Sequence, residues 1–141
     1  MKRHTLVPFA VDKKDGTRSF FLDREDGDGS TFYESKLTRE SGGIGTLDIK
    51  RPIQVETVDL ARWIRENLTK SDYIALKLDV EGAEYDVLER MIETDVLSYV
   101  NALFIEWHWQ KVRISEERHL RVVQAVTDAK IPIVEWDALG H

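Results

Sequence analysis

The fold is decided by the stretch Lys77-Leu78-Asp79-Val80-Glu81-Gly82-Ala83-Glu84. The apolar residues 73–78 predict a short buried strand, and residues 82–93 then place apolar side chains on one face of a helix. Gly82 permits a sharp bend between the strand and the helix. Ligands of open α/β sheets bind beyond the carboxyl ends of the strands, so Asp79 and Glu81 lie where a functional site is expected.

The same alternation continues on both sides of this stretch. Asp59 is typical of an N-cap, and apolar residues follow it at helical spacing as far as Leu68. Residues 100–107 predict a second buried strand, Ser115 caps a further helix, and residues 131–136 predict a closing strand. The last helix is expected to bury Leu120, Val122, Val123, Val126 and Ala129. Strands that alternate with helices imply an α/β fold with a mostly parallel sheet and flanking helices.

Residues 1–58 differ in composition from the rest of the chain, with strand formers separated by glycine-rich loops at residues 26–29 and 41–45. Strands are predicted at residues 5–11, 19–22 and 53–58. The dipeptide Asp15-Gly16 is a turn signal and predicts an extra β-hairpin near the N-terminus. A chain of 141 residues is too short for two ordinary domains. We therefore expect one domain over residues 1–141, with a β-rich segment (1–58) and an alternating core (59–141).

Polar side chains also follow the second buried strand. Glu106 and His108 are two residues apart, so they point the same way if the strand continues that far. We expect them to converge with Asp79 and Glu81 in one polar pocket beyond the strand ends, where they suit either acid–base chemistry or a hard metal ion. A hydrogen-bonded rim without chemistry explains the same residues about equally well.

Two charged neighbours of this predicted site have simpler interpretations. Glu84 lies in the first turn of the predicted helix, where a carboxylate complements the helix dipole. Lys77 lies in a predicted buried strand, where an unpaired charge is costly, so we expect it to pair with a neighbouring carboxylate.

Composition excludes several classes of function. The chain has no cysteine, which excludes disulfides, thiolate nucleophiles and zinc–thiolate sites. Its net charge of −6 disfavours nucleic acid as a partner. No apolar run approaches the ~20 residues of a membrane span, and no secretory signal is recognised, so we expect a cytoplasmic protein that does not bind membranes.

At these residues the chain resembles a known family, the FkbM-type methyltransferases. The resemblance is carried by the stretch at residues 77–84, by Val87-Leu88, and by Ile105-Glu106-Trp107-His108. Further pieces that agree are Phe9-Ala10-Val11, Asp15-Gly16, Ser30-Thr31 and the run at residues 55–60. The similarity extends from about residue 7 to residue 136. It implies a Rossmann-like sheet and an enzyme that uses S-adenosylmethionine to methylate a hydroxyl oxygen of a sugar or small natural product.

Family members begin with a strand, a glycine-rich turn and a helix that hold the cofactor, followed by a strand that ends in an acidic residue. No counterpart of these elements is recognised before residue 7, so we expect a sheet that is truncated in its N-terminal half. We also expect the isolated chain to bind S-adenosylmethionine weakly or not at all, because no glycine-rich turn opens onto a helix N-terminus.

The resemblance implies a role for each residue of the predicted site. Asp79 would line the methyl end of the cofactor, while Glu81 and His108 would handle the hydroxyl acceptor. Glu106 would orient His108 or Lys77. We assign no metal, although Asp79, Glu106 and His108 together have suitable donor atoms.

A non-enzymatic module is the alternative to an enzyme. The strand at residues 73–78 would expose an open edge in a truncated sheet, and an open edge seeks a partner strand. We expect this edge to be covered in a homodimer or by another polypeptide chain.

Overall fold

The computed structural model describes residues 3–23, 29–35 and 47–135. It contains a first sheet near the N-terminus and a second, parallel sheet flanked by helices. The elements in chain order are β1 (Ala10–Asp12), β2 (Gly16–Phe20), β3 (Ile53–Asp59), α1 (Leu60–Asn67), β4 (Ala75–Leu78), α2 (Glu84–Glu93), a 3₁₀ turn (Leu97–Tyr99), β5 (Ala102–Ile105), α3 (Glu116–Asp128) and β6 (Ile133–Glu135).

The second sheet confirms the predicted α/β alternation. Its strands run parallel in the order β4-β5-β6, and Leu78 at the end of β4 lies beside Ile105 at the end of β5. The carboxyl ends of both strands therefore meet at one edge of the sheet. Predicted strand residues 73–74 and 106–107 lie outside the bounds of β4 and β5, a difference at element ends that is common in such predictions.

The helices bury one face each against the core, as their periodicity predicts. Helix α2 contributes Tyr85, Val87, Leu88 and Met91, all of which are almost fully buried. The predicted caps of the other two helices are confirmed, because the side chain of Asp59 accepts from the Arg62 amide and that of Ser115 accepts from the Arg118 amide. The predictions for Leu120 and Ala129 were wrong, because both residues are exposed. Val123 is partly buried, while Val122 and Val126 fill the core.

The first sheet has a different topology from the predicted hairpin, and that prediction was wrong. Strands β1 and β2 lie on opposite sides of β3, so they do not pair with each other. The loop between them crosses the end of β3, where the Asp15 carboxylate accepts hydrogen bonds from the Asp59 amide at 3.0 Å and from the Arg62 guanidinium at 2.8 Å. These tertiary bonds replace the local pairing that Asp15-Gly16 predicted.

The N-terminal segment is attached to the second half of the chain through the Asp86 carboxylate on α2. The Tyr33 hydroxyl donates to it at 2.8 Å, Arg118 donates at 3.0 Å, and Lys13 lies 3.4 Å away. Burial, the largest influence, raises the pKa of Asp86, but these donors and charges outweigh it and lower the pKa overall. The buried carboxylate is therefore well compensated.

Several parts of the sequence analysis lie outside the described residues. They include most of the loop at 26–29, all of the loop at 41–45, and residue 136 of the predicted last strand. Among the residues that the structure does describe, no helix has the length and apolar composition needed to cross a membrane.

Candidate functional site

The site is built at the edge where β4 and β5 end. The ladder between the two strands runs one residue past β5, because the Glu106 amide donates to the Leu78 carbonyl at 3.1 Å. Asp79 and Glu106 therefore leave the sheet side by side. Glu81 follows Asp79 by two residues, and His108 follows Glu106 by two residues. Glu81 and His108 face each other across the same edge, with 3.6 Å between Glu81 Oε2 and His108 Nε2.

A strained turn gives Glu81 its position. Its backbone has a φ of 50° and the next residue, Gly82, has a φ of 108°, so two successive residues have left-handed dihedrals. The Thr31 hydroxyl fixes the turn by donating to the Glu81 carbonyl at 2.6 Å. A Cβ at position 82 would lie 2.8 Å from Val112 and 2.9 Å from Tyr33, so only glycine fits here.

Glu84 is the buried centre of the arrangement, and its side chain is completely inaccessible to solvent. One carboxylate oxygen, Oε2, accepts from the Gly82 amide at 2.9 Å. The other, Oε1, accepts from the His108 amide at 2.8 Å and lies 3.0 Å from Nδ1 of the same residue. Glu84 thus ties the strained turn to the end of β5, a much larger role than the helix-dipole role predicted from the sequence.

His108 is held in one orientation by this bond. A carboxylate can only accept, so Nδ1 carries the hydrogen and Nε2 faces the other way. Nε2 lies 3.6 Å from Glu81 Oε2 and 3.4 Å from Glu106 Oε1. Burial, the largest influence, lowers the pKa of His108, but the hydrogen bond with Glu84 and the charges of Glu84 and Glu81 outweigh it, so the pKa is raised overall.

The rim of the site is more exposed than the buried Glu84 and His108, and it carries two lysines. Asp79 keeps 31% of its side chain accessible and lies 3.4 Å from Lys77, while Lys111 lies 3.4 Å from Glu106. The predicted pairing of Lys77 with a carboxylate is therefore confirmed. Its predicted burial was wrong, because 53% of the Lys77 side chain is accessible and β4 is at the edge of the sheet that the described strands form.

These distances show that Asp79, Glu81, Glu106 and His108 converge at one edge of the sheet, while the polar pocket predicted around them stays a prediction. Donor atoms of Asp79, Glu81 and His108 all lie within 4.8 Å of one another. A cleft of about 600 Å³ lies elsewhere, on the first sheet, and none of the four residues lines it. The catalytic and cofactor roles assigned to the four residues stay predictions.

Sequence reasoning missed Glu84 and Lys111. Glu84 could have been found, because it lies three, four and seven residues before Val87, Leu88 and Met91, on the face that the helix buries. A carboxylate on an apolar face needs buried partners. No sequence pattern identifies Lys111 as part of the site, because the loop that brings it to Glu106 has no regular pattern.

An α/β domain with polar side chains beyond the carboxyl ends of adjacent parallel strands has the usual ligand-site geometry of its class. The family model of the methyltransferase FkbM domain matches residues 2–130, so the chain belongs to this family of methyltransferase domains. No curated protein sequence and no solved structure gives a significant match.

Proposed function

We propose that this domain acts in S-adenosylmethionine-dependent methylation of a hydroxyl oxygen on a sugar or small natural product. The observation that carries the proposal is the convergence of Asp79, Glu81, Glu106 and His108 beyond β4 and β5. Family membership supports methyl transfer as the reaction class. The acidic rim and the buried imidazole support an acceptor that must lose a proton.

The chemistry of the rim suits a positively charged cofactor. S-adenosylmethionine supplies an electrophilic methyl group on a sulfonium, and a carboxylate stabilises a nearby positive charge. Asp79 is the most accessible carboxylate of the cluster, with 31% of its side chain exposed against 18% for Glu81 and 12% for Glu106. We assign Asp79 to the methyl end of the cofactor for this reason.

Glu81 is the group best placed to take the hydroxyl proton. Its carboxylate is partly exposed and lies between solvent and the buried His108 ring, 3.6 Å from Nε2. A proton accepted from the hydroxyl by Glu81 stays beside the imidazole, whose orientation Glu84 fixes. Glu106 Oε1 lies 3.4 Å from the same nitrogen, and we assign it to hold the ring, which Glu84 orients, toward the acceptor.

An NMR titration tests cofactor binding, and it detects weak binding. We expect S-adenosylmethionine at millimolar concentration to shift the backbone amides of residues 79–83 and 106–108. Asp79→Asn should weaken the effect, and the control Asp95→Asn should not, because Asp95 is exposed beyond the other end of α2. No shift at these amides would contradict cofactor binding and favour the non-enzymatic module.

Methyl transfer itself is measured with labelled S-adenosylmethionine and a panel of sugars and hydroxylated small molecules. We expect Glu81→Gln to lower the rate by a factor of about 10²–10⁴, the range for loss of a general base. Asp95→Asn again serves as the control. An unchanged rate in Glu81→Gln would remove Glu81 from the reaction.

A further inference from the structure

We propose that His108 and Glu84 form a buried imidazolium–carboxylate pair that acts as a pH-sensitive link between the turn at residues 81–82 and the end of β5. The link is complete while both ring nitrogens of His108 carry a proton, and it weakens when Nε2 loses its proton. This link is a property of the folded chain and does not depend on methyl transfer.

The Glu84 carboxylate is the first reason to expect a charged ring. Its side chain and that of His108 are both inaccessible to solvent, with 3.0 Å between Glu84 Oε1 and His108 Nδ1. The carboxylate also accepts from the backbone amides of Gly82 and His108, which carry no formal charge. An uncompensated carboxylate in the interior is costly, and the imidazole is the titratable group that bonds to it in the described part of the chain.

The surroundings of Nε2 favour the same charged form. Glu106 Oε1 lies 3.4 Å from this nitrogen and Glu81 Oε2 lies 3.6 Å from it. Glu106 also pairs with Lys111, and Glu81 has a further interaction, so neither carboxylate is reserved for the ring. A proton on Nε2 nevertheless makes both contacts attractive, whereas a lone pair there makes both repulsive.

The charged groups around the ring come from every element packed against it. Negative groups face it from the start of α2, from the turn before α2 and from the end of β5, and one positive group approaches from the loop after β5. These groups are Glu84, Glu81, Glu106 and Lys111, with the pair of Asp79 and Lys77 at the outer rim. Burial, the largest influence, lowers the pKa of His108, and Lys111 lowers it further. The hydrogen bond and charge of Glu84, together with the charge of Glu81, outweigh both and raise the pKa overall.

Loss of the Nε2 proton affects both sides of the ring. On the Nδ1 side the hydrogen bond to Glu84 remains, but the buried carboxylate loses its compensating charge. On the Nε2 side Glu81, whose side chain is 18% exposed, can turn toward solvent and away from the lone pair. Because Glu84 also accepts from the Gly82 amide, the change reaches the strained turn as well.

The sign of the stability effect follows from the raised pKa of His108. The ring binds its proton more tightly in the folded chain than in the unfolded chain. The stability that the link contributes is therefore fully present below pH 6.5 and is lost as the pH rises through the folded pKa. His119 is an internal contrast, because burial, its largest influence, lowers its pKa below the ordinary 6.5.

NMR of the imidazole nitrogens of the full chain, recorded between about pH 5 and pH 10, tests the link at the atom concerned. We expect Nε2 of His108 to titrate with a midpoint above 6.5 while Nδ1 stays protonated, whereas His119 titrates below 6.5. The backbone amides of Glu81 and Gly82 should shift with the His108 midpoint. A His108 ring that is already neutral below pH 6.5, or turn amides that do not follow its midpoint, would overturn the proposal.

Variants of the two glutamates separate the link from simple packing. Glu84→Gln should lower the His108 midpoint and flatten the loss of stability toward alkaline pH, as measured by urea unfolding. Glu93→Gln, an exposed glutamate at the end of the same helix, should leave both unchanged. If Glu84→Gln fails to fold, Glu81→Gln decides instead, because it removes a partly exposed charge and should also lower the midpoint. A midpoint equal to that of the wild type in the folded variants would refute the imidazolium pair and leave the methyl-transfer experiments unaffected.

Discussion

Replacement of Glu84 by glutamine isolates the contribution of one buried charge. The carboxylate accepts three N–H groups, from the Gly82 amide, the His108 amide and His108 Nδ1. Glutamine has nearly the same shape but only one oxygen. In the better of its two orientations the oxygen stays with both His108 donors, and the NH₂ group then faces the Gly82 N–H.

The expected loss follows from these three bonds. A hydrogen bond to a charged group contributes about 1.5–3 kcal/mol and a neutral one about 0.5–1.5, so the two bonds to His108 lose about 1 kcal/mol each. The Gly82 amide becomes a buried unsatisfied donor, which costs about 1–3 kcal/mol. Part of this is offset because a buried charge is removed. We therefore expect the free energy of unfolding to fall by about 3 kcal/mol, a decrease in Tm of roughly 10 °C for a chain of this length.

Urea and thermal unfolding measure this loss, with Glu93→Gln as the control. Glu93 ends the same helix and is exposed, so the same chemical change there should alter stability by less than about 0.5 kcal/mol. If Glu84→Gln costs less than about 1 kcal/mol, the three hydrogen bonds do not carry the strength of bonds to an ionised carboxylate. The central role given to Glu84 would then be refuted.

Three further predictions concern other parts of the chain. Gly82→Ala should lower the urea midpoint by an amount equal to about 2–4 kcal/mol, because a Cβ would lie 2.8 Å from Val112 at a φ of 108°; an unchanged midpoint would show that the turn relaxes freely. The pKa of Asp86 is lowered from 3.8 by folding, so its contribution to stability is present above pH 3.8 and lost as the pH falls through the folded pKa. The stability of Asp86→Asn should therefore fall less than that of the wild type over this acid range, and parallel curves would contradict the assignment. We also propose that the outer edge of β4, which pairs with no described strand, joins a second copy of the chain; light scattering should then give twice 16.3 kDa, and 16.3 kDa at high micromolar concentration would exclude the dimer.

Regular patterns were enough to predict the second half of the fold. The strand before Asp79, the caps Asp59 and Ser115, and the parallel order of the sheet all follow from periodicity and cap chemistry, which are local properties. The convergence of the site residues followed as well, because parallel strands bring their carboxyl ends to the same edge. These inferences needed no knowledge of distant contacts.

The predictions of the hairpin and of Lys77 burial were wrong because they depend on contacts between distant segments of the chain. The hairpin at Asp15-Gly16 was wrong because a turn signal says where the chain reverses and not which strand it pairs with. Lys77 was predicted to be buried because the apolar run around it is typical of a central strand, whereas β4 lies at the edge of the sheet in the part of the chain that the structure describes. Both features depend on which strand becomes the neighbour, and no local pattern encodes that.

The first half of the chain also helps to build the site, although it contributes none of the four converging side chains. Thr31 holds the Glu81 carbonyl, and Tyr33 packs against Gly82 while its hydroxyl bonds to Asp86. These contacts span about fifty residues and fix the strained turn that directs Glu81 toward His108. Strained backbone persists only where its surroundings over-determine it. The segment around Thr31 is therefore a positioning element for Glu81, and its loss would release the turn even though the second sheet remained folded.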